Sequence, residues 1–130
     1  MMIISFAETT PALLAGRKTV TRREWNPTHA GRFKAGQEVQ AWSKGPRVKG
    51  ARRVGTIRIT RTPYIEESAA IPDEDWEGEG FAFMETNDLR LFGGMTPRAV
   101  WDAWHSDPTP LWVVRFEVVR LEPELRGPLL

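Results

Sequence analysis

Residues 54–62 alternate apolar and polar side chains, with Ile57 and Ile59 on one face and Thr56, Arg58 and Thr60 on the other. That period of two predicts a half-buried β-strand. The same pattern predicts the longest strand over residues 111–121, with Trp112, Val114, Phe116 and Val118 on one side, and a third strand over 37–43 around Val39 and Ala41. Residues 2–6 form a short apolar run that reads as a strand, and 20–23 read as extended. The period lengthens in two places. Residues 10–15 favour helix, with Thr9 and Thr10 as cap types, Pro11 at the first position and Gly16 as the left-handed stop. Thr96-Pro97 caps a second helix whose stripe is Val100, Trp101 and Trp104, and Asp107-Pro108-Thr109-Pro110 ends it.

Between these elements, residues 25–31 read as a loop, 33–36 as a turn, and 44–53 as a long basic hairpin loop. Residues 66–80 are acidic, with a short helix around Asp73–Trp76 that ends at Gly78 or Gly80, and 84–95 read as irregular. Strands and helices do not alternate as they would in a parallel βαβ protein. The expected class is α+β, mainly β: a small, mostly antiparallel barrel or curled sheet with short helices at its rim.

At 130 residues the chain fits a single domain, 1–130, with a substantial core. No stretch approaches the roughly 20 apolar residues that span a bilayer, and Met1–Phe6 has no signal-peptide features. A cytoplasmic protein with no membrane partner is therefore expected, and the sequence leaves oligomeric state open. The absence of cysteine removes disulfides, thiolate nucleophiles and thiolate ligands. His29 and His105 stand far apart, outside any ligand spacing, and the His-x-Glu and Cys-x-x-Cys of a zinc deaminase are missing. No metal and no cofactor are expected.

A formal net charge of +1 conceals a strong asymmetry. Residues 1–61 carry 13 Lys/Arg and 3 Asp/Glu, whereas 62–89 carry 9 Asp/Glu and no Lys or Arg. Two readings follow: the segments neutralise each other in the fold, or the basic one attracts phosphates. Arg47, Lys49, Arg52 and Arg53 are in the same way either phosphate contacts or a solvated loop.

The densest chemistry lies just past the first helix, in Gly16-Arg17-Lys18-Thr19-Val20-Thr21-Arg22-Arg23. It reads either as cations that complement a helix dipole or as a reactive set held by the scaffold. Lys18 and Thr21 suit a base-and-nucleophile pair if neighbouring arginines and burial lower the lysine pKa. On a regular strand they would face opposite sides, so the pair requires a turn between them. A third group, a carboxylic acid, would carry a proton to the leaving group. Glu79 stands out because glycines flank it and Trp76 and Phe81 are near in sequence, a setting that raises a carboxyl pKa; the alternative is a solvated acidic loop. Trp42, at a strand end beside Ser43, is either a base-stacking residue or core. Trp101, Trp104 and Trp112 are assigned to the core, while Trp25 and Trp76 lie in loops where they can line a pocket.

The run Leu14-Ala15-Gly16-Arg17-Lys18-Thr19-Val20-Thr21 with Arg23, together with Phe33-Lys34-Ala35-Gly36-Gln37, Glu77-Gly78-Glu79-Gly80-Phe81 and the strand over 111–119, resembles the ASCH-domain family, which has a PUA-like β-barrel. Within it the chain is similar to the bacterial N4-acetylcytidine amidohydrolases. The resemblance implies Lys18 as proton acceptor, Thr21 as nucleophile and Glu79 as proton donor, with Arg23, Trp42, Ser43, Trp76 and Phe81 around a modified nucleoside. Arg22 replaces an apolar residue of those relatives, the chain is longer at 44–53 and over 84–104, and Glu77 is the alternative acid if the loop register shifts. A non-catalytic RNA-binding module is the competing class, with RNA cleavage using Lys18 as base ranked last.

Overall fold

The computed structural model describes residues 2–122; Met1 and the tail from residue 123, which carries Glu124 and Arg126, lie outside the described residues. Five strands, β1 (Ile3–Ser5), β2 (Val20–Arg23), β3 (Glu38–Trp42), β4 (Arg53–Glu67) and β5 (Pro110–Leu121), form one sheet in the order β1-β3-β4-β5-β2. Only β1 and β3 pair in parallel; the other pairings are antiparallel. Five short helices, α1 (Thr10–Leu14), α2 (Pro27–Ala30), α3 (Asp75–Gly78), α4 (Phe81–Thr86) and α5 (Pro97–Ser106), complete an α+β, mainly β fold. The sheet is open, with β1 and β2 as its edges. It bends far enough that Arg23 Nη2 on β2 donates to the Ser5 carbonyl on β1 at 2.7 Å.

Several elements depart from the sequence expectation. β4, not β5, is the longest strand, because it continues past Pro63 to Glu67. Register shifts between Ile59 and Arg61 and between Arg61 and Tyr64 absorb the proline, which cannot donate to the ladder. Residues 27–30 form a helical turn rather than a loop, because the Asn26 side chain accepts from His29 N and caps it. The segment expected to be irregular begins inside α4, whose buried Phe81 and Met84 supply the packing that its short sequence pattern does not advertise.

The α1 exit forms as expected. Gly16 takes φ +73°, Gly16 N donates to Leu13 O and Arg17 N to Ala12 O, the paired bonds of a Schellman stop. Two apolar clusters meet at α1. Leu13 packs with Ile4, Phe6, Ile57, Ile59 and Phe116 of the sheet cluster. Ala12 joins Phe81, Met84, Val100 and Trp101 of the helical cluster. The chain leaving α1 is thus held from two sides, and Lys18 follows directly. Among the described residues, no helix is long and apolar enough to cross a membrane.

Candidate functional site

Lys18 is only 2% exposed, although an ammonium is costly to bury unless it is paired. Its Nζ donates to the Glu79 backbone carbonyl at 2.7 Å and to Glu79 Oε1 at 3.2 Å. The two glycines beside Glu79 make that approach possible. A Cβ on Gly80 would lie 2.5 Å from Ala12 Cβ, and one on Gly78 would lie 3.0 Å from Val20 Cγ1. Gly80 also takes φ +89°, which turns the chain from α3 into α4. Thr19 N donates to Gly78 O and fastens the two segments together.

Glu79 is buried, and its other carboxylate oxygen accepts from Arg22 Nη1 at 2.8 Å. Its polar partners are two cations rather than the apolar setting expected beside Trp76. Arg22, with a fully buried side chain, continues the network to Asp75 and Glu66, and Arg115 grips Asp75 from the other side. Arg17 pairs with Glu77 at the surface. Three cations of the basic first half, Arg17, Lys18 and Arg22, thus pair with acids of the middle segment, while Arg47, Lys49 and Arg52 stay exposed.

The electrostatics follow from this packing. Burial pulls the Lys18 ammonium below its ordinary 10.5; Glu79 opposes, while Arg23 and Arg22 lower it further. Burial also lowers Arg23, against the attraction of Glu79. Burial acts against the charged Arg22, yet Glu79, Asp75 and Glu66 together hold its pKa above the ordinary guanidinium value. Asp75 is likewise disfavoured by burial, and its bonds from Arg115 and Arg22 bring it below 3.8.

Lys18, Thr21, Arg22, Arg23 and Glu79 line one cavity of about 210 Å³ at the gap between the sheet edges. Lys18, just before β2, and Thr21, within it, reach the same cavity without a further turn between them. Thr21 Oγ1 accepts from Arg23 Nε at 3.1 Å, which leaves the hydroxyl proton free to be donated. A neutral lysine amine has two N–H groups and one lone pair. With both N–H groups on Glu79, the lone pair is left to receive a proton.

Phe81 lines the cavity as expected, and so do Ser5, Phe6, Phe92 and Trp104. Trp104, assigned to the core from sequence, is only half-buried and forms part of the wall. Trp42, Ser43 and Trp76 stand elsewhere. Trp42 Nε1 donates to Gln40 within β3, and Ser43 closes the base of the basic hairpin through bonds with Arg52. Trp76 packs against Phe81 and Trp101 and under the Arg98 guanidinium. Trp25 stacks on Phe33 at 4.6 Å on the sheet core rather than lining a pocket. Glu77 faces a separate surface cleft with Arg17 and Thr19. Trp112 is half-buried between Arg23 and Ile65 in neighbouring strands, outside the core cluster.

The fold has a solved counterpart. A crystal structure of protein EF3133 from Enterococcus faecalis V583, family-model DUF984, matches with a TM-score of 0.55 at 16% identity. The match covers 95% of this chain and 84% of that one, and at this identity the likeness is one of fold. No family model and no curated protein matches the chain.

Ser5, Phe6 and Phe92 line the cavity without being expected there from the sequence. Ser5 and Phe6 were hidden inside a strand pattern, whereas the Phe92-Gly93-Gly94 run was a visible turn signal.

Proposed function

We propose that this protein is a cytoplasmic, metal-independent amidohydrolase that removes the acyl group from N4-acetylcytidine or a related N4-acylated cytosine nucleoside, and that its curled sheet is a PUA-like barrel of the ASCH type. The observation that carries the reading is the buried Lys18, bonded to Glu79 in the same cavity as the Thr21 hydroxyl. A lysine serving only as a phosphate contact would be exposed and continuous with the basic loop. Here Arg47, Lys49 and Arg52 are exposed on a hairpin that does not line the cavity.

In this mechanism Lys18 takes the Thr21 proton while Oγ1 attacks the acyl carbonyl carbon. The proton passes from Lys18 to Glu79 Oε1 and then to N4 as the C–N4 bond breaks, releasing cytidine. Water attacks the acyl-threonine, and its proton returns by the reverse path to Thr21 Oγ1, leaving acetic acid that ionises in solution. Arg23, already bonded to Thr21, stabilises charge that develops at that oxygen. The cavity is smaller than the roughly 300–1,000 Å³ usual for ligand clefts, which suits a base and acyl group with the ribose at the mouth.

The test is hydrolysis of N4-acetylcytidine by the purified protein, read by chromatography for cytidine and acetate. Turnover should survive a chelator and be lost in Lys18→Ala, Thr21→Ala and Glu79→Gln. Lack of turnover on N4-acetylated cytosine, cytidine and deoxycytidine would sink the reading. A steeply salt-dependent affinity for RNA would then favour the binding module.

A further inference from the structure

The turn between the paired residues Leu91 and Met95 consists of Phe92, Gly93 and Gly94, with φ values of +46°, +77° and +133°. Glycine adopts such angles freely. A bulky aromatic residue does not, and it persists there only when something else compensates. Backbone bonds between Leu91 and Met95 close the turn, but burial of the Phe92 side chain contributes little, because the residue is 66% exposed. Gly93 and Gly94 have open space around them, so packing does not force the turn into this shape.

Phe92 nevertheless lies on the wall of the cavity that holds Lys18, Thr21 and Glu79. Its position is fixed from two sides. Leu91 is buried in the helical cluster and anchors the turn from within. From across the mouth, Glu8 Oε1 accepts from Phe92 N at 2.7 Å. Glu8 follows Ala7, another non-glycine residue at positive φ (+46°), and both line the same cavity. Two positive-φ residues thus line one opening, and the residue after the first bonds the backbone of the second. Deeper in, Phe81 and Trp104 have ring centroids 5.5 Å apart and form an apolar aromatic wall.

We infer that Phe92 is a ligand-binding residue, its ring presented at the cavity mouth to stack on the planar heterocycle of the ligand, with Glu8 holding the turn in place. The inference rests on the proposed function only in requiring a planar base as ligand; it does not depend on the chemistry at Thr21. Stacking on one aromatic ring is tolerant of base identity, so Phe92 contributes affinity, and selectivity for the acyl group falls to the deeper residues.

Calorimetric titration with cytidine and with N4-acetylcytidine tests it, on the wild type and on Phe92→Gly, Phe92→Trp and Glu8→Ala. Phe92→Gly should weaken binding about ten-fold, while its melting temperature stays at or above that of the wild type because the backbone strain is relieved. Phe92→Trp should retain binding, and Glu8→Ala should weaken it. Any kinetic loss in these variants should lie in KM rather than kcat. A merely structural phenylalanine would give the opposite pattern for Phe92→Gly, a lower melting temperature with unchanged affinity, and that result would overturn the inference. A wild type that binds neither cytidine nor N4-acetylcytidine would overturn it as well. Binding that depends on Phe92 without hydrolysis would sink the amidohydrolase reading and leave the role of Phe92 standing.

Discussion

Lys18 Nζ lies 2.7 Å from the backbone carbonyl of Glu79 and 3.2 Å from its carboxylate, so a residue 61 positions away accepts both of the lysine's hydrogen bonds. Because burial lowers the Lys18 pKa below 10.5, the unfolded chain binds more protons than the folded one between the folded value and 10.5. Stability therefore rises with pH across that window. Lys18→Met should flatten this rise in denaturant titrations. In the wild type, kcat/KM should climb with pH to a plateau whose apparent pKa lies below 10.5.

Asp75 titrates in the opposite direction. Its folded pKa lies below 3.8, so its contribution is complete above 3.8 and is lost as pH falls through the folded value. Asp75→Asn leaves Arg22 and Arg115 facing a neutral amide. It should cost of order 3 kcal/mol at neutral pH, the scale for breaking a buried ion pair. Urea midpoints of variant and wild type should converge as the medium is acidified below that range.

Gly80→Ala should damage both fold and site. The added methyl meets Ala12 Cβ at 2.5 Å, on a backbone with φ +89°. Overpacking of this kind costs about 1–3 kcal/mol, and the positive φ adds to it. The melting temperature should fall, and kcat should fall with it as Glu79 moves away from Lys18.

Tryptophan substitutions separate the wall from the scaffold. Trp104→Ala should raise KM about ten-fold, the loss expected for one aromatic surface against a base. Trp42→Ala, on β3 and outside the cavity, should leave KM within about two-fold of the wild type, as surface changes away from a site do. Steady-state kinetics on the two variants decides the point.

The strands legible in the sequence are those with one buried face, such as β4 around Ile57 and Ile59, because burial of a single face writes a period of two into the chain. The stop at Gly16 was legible for a different reason, since a left-handed residue needs glycine. The Gly78-Glu79-Gly80 run pointed correctly to a close backbone approach. Its partner could not be read, because the Ala12 and Lys18 contacts join segments more than sixty residues apart. Trp104 rather than Trp42 reaches the cavity for the same reason. Sequence neighbours place Trp42 beside a basic loop and Trp104 on an apolar stripe, but only the packing of α5 against α4 decides which ring meets the cavity. Arg22 read as one cation in a run, and its place between Glu79, Asp75 and Glu66 emerges only when the acidic segment folds back onto β2.

The bond from Arg23 to the Ser5 carbonyl has a consequence for self-association. An open sheet offers two rows of unpaired backbone groups to any other chain, a template for fibril growth. Here those rows are short, three residues in β1 and four in β2, and one guanidinium reaches from the second to the first. The same side chain that contacts the Thr21 hydroxyl thus also occupies an acceptor on the opposite edge, so one arginine both lines the cavity and shields a strand edge from pairing.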